Sequence, residues 1–359
     1  MTMRLTSFFT ASALGVGNGE SLSNYLRVSA PGMAEMSGDI PGRSIWFGSV
    51  KCDLPSVPER HWNMRSNRLL QLALESEPSF GALVRRYGAD RVGVVLGASN
   101  TGVDEAQGCI DEWLSSGAAE PPDRFDFSML ELGTPSLFLK ERLGAKGPAY
   151  TISTACSSAA KAFGSARRLI ERCVCDAVVT GGVDGRCRFA MNGFHALGAL
   201  SEGRCRPLAE DRDGINLGEG VALFAMEREG GGVALRGVGE SSDAYHATAP
   251  DPEGRGAESS MRAAISDAGL EPDAIDYVNL HGTGTLANDA MELKALGRVF
   301  GDRLPRYEST KGLTGHCLGA AGAVEAAICA LLLESGRATA ALSNSFAFGG
   351  SNASVVISR

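Results

Sequence analysis

This 359-residue chain is short of positive charge and of long apolar runs. Its 34 lysines and arginines are outnumbered by 42 aspartates and glutamates, which gives a formal net charge of −8. A chain with no basic excess displaces few counterions, so general nucleic-acid binding is excluded as its main role. No stretch of about 18 apolar residues occurs, so the sequence predicts no membrane span.

The cysteine pattern lacks the pairs that zinc sites and disulfide frameworks use. Nine cysteines are scattered along the chain, none of them in a Cys-x-x-Cys arrangement, and their number is odd. The N-terminal stretch is broken by polar residues and has no apolar core typical of a signal peptide. We therefore expect free cysteines, no bound metal and a cytoplasmic location.

The remaining composition is that of an ordinary globular protein, with 44% hydrophobic and 21% charged residues. Apolar runs ending at glycines alternate with longer segments of helical character, which predicts an α/β protein with mixed, buried sheets covered by helices. The predicted strands lie at 91–97, 151–154, 177–180, 221–226, 277–280, 340–342 and 353–357, and the predicted helices at 157–173, 289–300 and 316–333.

The order of these elements occurs twice, which predicts two related α/β halves. A strand and glycine turn near residue 97 correspond to those at 280–282, and the double glycine at 181–182 corresponds to that at 349–350. The join is predicted in the charged, glycine-rich stretch 228–232, giving halves of 1–229 and 230–359. Residues 99–131 carry acids and prolines and are interpreted as a peripheral, irregular excursion.

Cys156 stands where a β-branched run ends and small helix-forming residues begin. The field of a helix N-terminus favours a thiolate, which is the nucleophilic form of cysteine. A free cysteine is also often a small buried hydrophobe, so this position alone does not decide between the two roles.

Two histidines have similar settings. His281 opens the sequence HGTGT, and His316 lies in TGHCLGAAG, so glycines and small residues surround both imidazoles and allow close approach of a substrate. A lone histidine is more often structural, but two in matching settings, together with Cys156, predict a shared site.

Four motifs together resemble the β-ketoacyl–acyl carrier protein synthases of the thiolase superfamily. They are TACSS at 154–158, HGTGT at 281–285, KGLTGH at 311–316 and FAFGGSN at 346–352. The resemblance implies a duplicated α/β/α/β/α five-layer sandwich, usually dimeric. It also implies a decarboxylative condensation, with an acyl group held on Cys156 and extended by malonyl–acyl carrier protein.

The same resemblance implies the roles of individual residues. His281 and His316 would stabilise the enolate oxygen with N–H donors. The backbone N–H groups of Cys156 and Phe348 would form a second oxyanion hole. The further residues implied are Lys311 and Glu325 as a supporting pair, Gly349 in the gating loop, and Thr283, Thr285 and Phe346 in substrate binding. No cofactor is expected on the enzyme, because phosphopantetheine of the carrier protein brings the substrates.

Several alternatives remain open at this level. The chain could be a non-catalytic chain-length factor, although such partners typically lose the nucleophile that this chain retains. Asp289 and Glu292 could simply cap and charge the start of their helix. Segment 62–70 faintly resembles synthases of aryl polyene pathways. A homodimer and a heterodimer with a related subunit are both compatible with the sequence, and the candidate contacts for an acidic carrier are Arg65, Arg68, Arg204 and Arg206.

Overall fold

A computed structural model of the chain describes residues 2–359. Its strands are β1 (Met3–Ser12), β2 (Gly15–Val16), β3 (Met33–Ile40), β4 (Arg43–Gly48), β5 (Val92–Gly97), β6 (Ala149–Ile152), β7 (Ala177–Asp184), β8 (Leu217–Gly218), β9 (Gly220–Glu227), β10 (Val233–Ser242), β11 (Tyr277–Asn279), β12 (Arg306–Glu308), β13 (Ala340–Phe346) and β14 (Ser351–Ser358).

The helices are α1 (Asn18–Leu26), α2 (Arg65–Ser76), α3 (Ser79–Tyr87), α4 (Val103–Ser116), α5 (Thr134–Leu143), α6 (Ser158–Glu171), α7 (Arg188–Ala196), α8 (Arg255–Asp267), α9 (Leu286–Phe300), α10 (Lys311–Thr314) and α11 (Ala321–Glu334). Short 3-10 helices lie between them, including Leu318–Ala320 and Phe348–Gly350. None of the helices in residues 2–359 combines the length and apolarity needed to cross a bilayer.

The main sheet contains the same five-strand arrangement twice. The first set runs β6-β5-β7-β9-β1 and the second runs β12-β11-β13-β14-β10. In each set the first two pairs are parallel and the last two are antiparallel. The sets join where β1 and β10 pair antiparallel over a few residues, Met3 opposite Leu235. This repeat confirms the predicted duplication.

Three hydrophobic clusters lie between adjacent layers of helices and strands. The central cluster contains the buried faces of α6 and α11 and side chains from both sets of strands. A second cluster lies between the first set and α2, α3 and α5. The third lies between the second set and α8 and α9. Helices therefore cover both sets outside and fill the space between them, which is the predicted five-layer sandwich.

The sequence explains why α6 and α11 lie in the middle. Residues 321–333 of α11 are all buried, and a helix that is apolar on every side is stable only when it is enclosed. Helix α6 approaches β5 so closely that a Cβ at Gly97 would lie 2.2 Å from the backbone nitrogen of Ala159. Glycine at position 97 thus brings the N-terminus of α6, and Cys156 just before it, against the end of β5.

Several predicted elements have other bounds in the structure; for example, the helix predicted at 316–333 is a 3-10 helix at Leu318–Ala320 followed by α11. The stretch 99–131 is not irregular throughout, because it contains the 14-residue helix α4. The helix predicted at 289–300 begins at Leu286, since Thr285 caps it by accepting a hydrogen bond from the Asn288 N–H. The sequence predicted the central part of this helix correctly, but it did not show that the helix begins directly after the threonine-rich turn.

Candidate active site

Cys156 lies at a sharp turn between β6 and α6 and is almost completely buried. The preceding Ala155 adopts a left-handed backbone conformation with φ of 51°. This conformation costs an alanine on the order of 1 kcal/mol. Hydrogen bonds of Ser158 hold the turn, since its hydroxyl donates to the Ala155 carbonyl at 2.5 Å and accepts from the Thr154 N–H at 2.9 Å.

Burial dominates the electrostatics of the Cys156 thiol. Desolvation raises its pKa to about 11, although Lys311 and the backbone N–H groups of Phe348 and Cys156 itself act in the opposite direction. Burial therefore opposes the helix N-terminus, whose field favours the thiolate. The thiol keeps its proton at neutral pH, so it needs a base close to the sulfur.

This raised pKa gives a pH-dependent prediction. Because only the thiolate reacts with iodoacetamide, the alkylation rate of Cys156 should rise about tenfold for each pH unit from 7 to 10. The rate should level off only near the pKa of about 11. Peptide mass mapping after timed alkylation measures this rate at Cys156 separately from the other cysteines. A plateau already at pH 7 would mean that the thiolate is the resting form.

His316 is the group closest to the sulfur, with its Nε2 2.9 Å from the Cys156 Sγ. Its backbone is fixed to the segment before β9, because its N–H donates to the Asn216 carbonyl and its own carbonyl accepts from the Gly218 N–H. Burial and Lys311 hold the pKa of His316 well below its ordinary value. The neutral imidazole at this distance can accept the thiol proton.

His281 completes the cluster from the end of β11. The two imidazole rings are 5.4 Å apart, nearly perpendicular, and the Cys156, His281 and His316 ligand atoms all lie within 4.8 Å of one another. Burial, with Lys311 and His316, lowers the pKa of His281 well below its ordinary value. Both imidazoles are therefore neutral at physiological pH.

Lys311 fixes the tautomer of His281. Its ammonium lies 3.4 Å from the Nδ1 of His281 and donates a close hydrogen bond to Glu325. Since an ammonium can only donate, the Nδ1 accepts and the ring proton is on Nε2. Glu325 is fully enclosed, and burial raises its pKa to about 7 while Lys311 opposes the shift. The structure thus brings the predicted Lys311 and Glu325 into contact behind His281.

Glu292 holds the backbone of His281, a contact that sequence analysis missed. Its carboxylate accepts from the His281 N–H at 2.8 Å and the Gly282 N–H at 2.7 Å. Asp289 accepts from the Gly284 N–H at 3.1 Å. These acids therefore shape the HGTGT turn rather than capping α9, a task performed by Thr285. Their i, i+3 spacing on α9 was the available signal, but it does not reveal the loop that they bind.

The segment 346–351 lies beside the sulfur and contains two phenylalanines. The Phe348 N–H is directed at Cys156, whereas the Gly349 N–H donates to the Ala247 carbonyl at 2.7 Å. Gly349 has a φ of 77°, so it makes the turn of the loop. A hydrogen bond of 3.0 Å from the Ser157 hydroxyl to that of Ser351 joins this loop to the nucleophile turn.

A cavity of about 230 Å³ connects the three residues with the surface. One wall is polar and includes Thr283 and Thr285, whose hydroxyls are 2.9 Å apart. Phe346 lines the cavity near His281, with the ring centroids 6.1 Å apart. All three residues predicted for substrate binding therefore line the cavity that contains Cys156.

Two of the four arginines considered for carrier contact bind other groups of the chain through their side chains. Arg65 is paired with the buried Glu219, and Arg68 donates to the carbonyls of Leu54 and Pro55. Arg204 donates to the Gly312 carbonyl at 2.8 Å, which places it beside α10. Arg206 is exposed and pairs with Asp211.

Phe194 on α7 is a cavity residue that the sequence did not reveal. Its ring stacks on that of Phe348 with the centroids 5.5 Å apart and an interplanar angle of 21°. Leu197 and Ala199 also line the cavity. The stacked rings of Phe194 and Phe348 thus form an aromatic part of its lining.

If the site transfers acyl groups, as the family resemblance implies, truncating Phe194 should change the length of the acyl groups accepted. Phe194→Ala removes the ring on which Phe348 rests and enlarges the cavity there. We expect products to shift toward longer chains by one or more two-carbon units, measured by mass spectrometry. Phe189→Ala is the matched control, because Phe189 is on the same helix but points to solvent. Unchanged products in the Phe194 variant would exclude this part of the lining from chain-length selection.

Comparison with known proteins adds an independent observation. Residues 71–230 match the family model for the β-ketoacyl synthase N-terminal domain, and residues 233–344 match that for the C-terminal domain. A 3-oxoacyl-[acyl-carrier-protein] synthase 2 from Staphylococcus aureus is 33% identical over a 315-residue alignment, and the match covers 76% of this chain and 76% of that protein.

Solved structures agree in their whole architecture. A chain from the complex of a ketosynthase with its chain length factor from Xenorhabdus doucetiae is 39% identical, with a TM-score of 0.95. The match covers 99% of this chain and 97% of that one. A chain of the ishigamide ketosynthase/chain length factor is 26% identical with a TM-score of 0.89, covering 99% and 98%.

Proposed function

This chain belongs to the β-ketoacyl synthase family, and on that premise we propose that Cys156 carries the acyl group in a decarboxylative condensation with malonyl–acyl carrier protein. The observation that supports this assignment is the convergence of Cys156, His281 and His316 within 4.8 Å at the bottom of one cavity. A nucleophile, a base within reach of its proton and N–H donors are the groups that acyl transfer and condensation require.

In the first step, the Cys156 sulfur attacks the carbonyl of an acyl thioester. Its proton passes to the Nε2 of His316, 2.9 Å away, and then to the departing carrier thiolate. The backbone N–H groups of Cys156 and Phe348 stabilise the oxyanion that forms on the acyl carbonyl. The step breaks one thioester and forms another, so the enzyme needs no oxidant or external energy source.

In the second step, malonyl thioester loses CO2 and leaves an enolate. His281 donates the N–H of its Nε2 to the enolate oxygen, and His316 donates to it in the tautomer that carries the ring proton on Nε2, while the enolate carbon attacks the acyl group on Cys156. The new carbon–carbon bond forms as the carbonyl–sulfur bond breaks, and the Cys156 sulfur leaves as a thiolate that takes a proton from solvent. Neutral imidazoles suit this role, because burial lowers their pKa values and thus keeps both in the uncharged form.

We propose that the active site lies between two halves, 1–229 and 230–359. The first half provides Cys156 at the start of α6, and the second provides both histidines, Lys311 and Glu325. The side chains of α6 and α11 share the central hydrophobic cluster. Packing between the halves would then set the distance between nucleophile and donors.

A chain-length factor is the second candidate function. It is favoured by the similarity to a chain from a ketosynthase and chain length factor complex. The presence of all three reactive side chains in contact geometry favours the catalytic subunit instead. We therefore assign this chain the ketosynthase role and expect a related subunit, or a second copy, as its partner.

The partner surface proposed here follows the edge of the main sheet. Strand β6 ends the first set and pairs only with β5 among the described strands. In the same half of the chain, Leu114 and Phe127 are 75% and 72% exposed. An unpaired strand edge and exposed apolar side chains are each typical of sites of association. A related chain of the same fold would cover both.

The remaining assignments concern the biological setting. Phosphopantetheine of an acyl carrier protein would bring both substrates past Thr283 and Thr285, with no cofactor or metal resident on the enzyme. Segment 62–70 supports an aryl polyene or related specialised pathway in addition to fatty acid or polyketide synthesis in general. We propose a cytoplasmic location, where carrier proteins and their thioesters would be available.

Product formation tests this proposal directly. The chain, alone and co-expressed with a related family subunit, would receive a panel of acyl-carrier thioesters and malonyl carrier, with products read by mass. We expect a β-ketoacyl product two carbons longer than its primer, released with CO2. Absence of any elongated product with either preparation would contradict the ketosynthase assignment.

A further inference from the structure

We propose that Cys156, His281 and His316 also form a latent binding site for one Zn²⁺ ion or a similar thiophilic divalent cation, which blocks the enzyme when it is bound. The inference deepens the proposed function, because only the inhibitory consequence rests on Cys156 being the acyl carrier. The binding itself depends on the three side chains alone.

The positions of the ligand atoms carry this proposal. In a tetrahedral zinc site, bonds of about 2.0–2.3 Å place ligand atoms roughly 3.3–3.6 Å apart. Here the sulfur and two ring nitrogens lie within 4.8 Å of one another, and the Sγ–Nε2 distance to His316 is 2.9 Å. Small side-chain rotations therefore convert the cluster into three ligands around one ion. No other group of this kind occurs in residues 2–359.

The ligand types agree with zinc binding. Zinc binds imidazole nitrogens and cysteine thiolate, which are the groups that these three side chains present. The thiol proton leaves to solvent when the sulfur–zinc bond forms. The His316 Nδ1 has no hydrogen-bond partner within the described chain, so it can carry the ring proton while Nε2 binds the ion.

The cavity provides the fourth position. Cys156 and both histidines line a space that leads to the surface, where a water or an incoming thiol completes the coordination. Three protein ligands with one open position are characteristic of accessible rather than purely structural zinc sites. An ion there would occupy the sulfur lone pair that attacks the acyl thioester.

Lys311 should weaken metal binding, and its replacement therefore tests the proposal. Its ammonium lies 3.4 Å from the His281 Nδ1. When His281 binds a metal through Nε2, its ring proton must be on Nδ1. The ammonium prevents this, because it can only donate, unless Lys311 turns fully to Glu325. The positive charge also repels a dication. Removing this amine should therefore strengthen metal binding, whereas it cannot do so if the ion binds elsewhere.

The experiment uses Co²⁺ as a spectroscopic probe and Zn²⁺ as its competitor on the full chain. We expect one Co²⁺ per chain, with a near-ultraviolet thiolate-to-cobalt absorption that Zn²⁺ removes. Cys156→Ala should abolish this absorption, and His316→Ala should weaken binding by more than the roughly 10–100-fold expected for losing an outer-shell partner. Lys311→Met should bind more tightly than the unchanged protein.

The control replaces the two exposed thiols, since Cys52 and Cys173 could bind cobalt at the surface. Cys52→Ser/Cys173→Ser should keep the absorption, and Zn²⁺ should protect Cys156 from iodoacetamide in peptide maps. Absorption that survives Cys156→Ala, or unprotected Cys156 at saturating Zn²⁺, would overturn the proposal. Neither readout uses condensation, so metal binding can fail while elongation succeeds, and the reverse.

Discussion

Replacing Cys156 with alanine is expected to abolish chain elongation, by on the order of 10⁴-fold or more. The acyl group would have no sulfur to accept it, and no other cysteine lines the cavity of the described chain. Elongated product and covalent acyl-enzyme should disappear together, as measured by mass spectrometry of products and of the intact protein.

The variant should remain folded, because Cys156 donates no hydrogen bond on which the turn depends and Ser158 still holds Thr154 and Ala155. Cys175→Ala is the matched control, since Cys175 is equally buried but remote from the cavity. Full elongation by the Cys156 variant would show that another group carries the acyl chain. A similar loss in the Cys175 control would point to a folding defect.

His281→Ala is expected to separate the two half-reactions. The histidine is on the side of the cluster away from the proton transfer, because its Nδ1 faces Lys311 and His316 is the imidazole in contact with sulfur. Acyl transfer to Cys156 should persist within a few-fold. Condensation should fall by roughly 10²–10³-fold, the usual effect of removing one oxyanion donor.

Single-turnover measurements distinguish these steps. Acyl transfer is followed as the mass gain of the protein, and condensation as the loss of that mass after malonyl carrier is added. His61→Ala is the control, because His61 packs on Trp62 outside the cavity. Equal loss of both half-reactions in His281→Ala would contradict its assignment to enolate stabilisation and favour a role in positioning the nucleophile.

The sequence pattern predicted two related α/β halves and favoured a shared site for three reactive side chains, and the resemblance to a known family implied the five-layer sandwich. The repeat and the setting of each reactive residue are local features. Alternating strands and helices appear as apolar periodicity, Cys156 follows a predicted strand, and His281 and His316 have glycines beside them. The matching settings of the two histidines, together with Cys156, were the signal that predicted a shared site.

Long-range partners were not predictable in the same way. Asp184 is buried and joins the Ser99–Asn100 backbone to that of Gly319, thereby holding the end of β5 near the segment after His316. In the sequence it is only an acid after two glycines and a valine. Glu292 likewise shows its connection to His281 only when α9 has folded back along the sheet.

The protonation state of the Cys156 thiol could not be predicted from the neighbouring sequence either. A helix N-terminus favours the thiolate, and that effect is visible in the sequence. Desolvation by the surrounding layers is larger and raises the thiol pKa to about 11. The thiol pKa therefore depends on the packing of the whole structure. Because the thiol keeps its proton, we assign removal of that proton to His316 rather than to the helix N-terminus.

The central claim is that Cys156 is the residue that carries the acyl chain, and peptide mapping of the acylated enzyme tests it most directly. After incubation with acyl-carrier thioester, the protein should gain the mass of one acyl group, located on the peptide that contains Cys156. Addition of malonyl carrier should remove that mass as the elongated product appears. An acyl group on any other residue, or one on Cys156 that malonyl carrier does not discharge, would contradict the account.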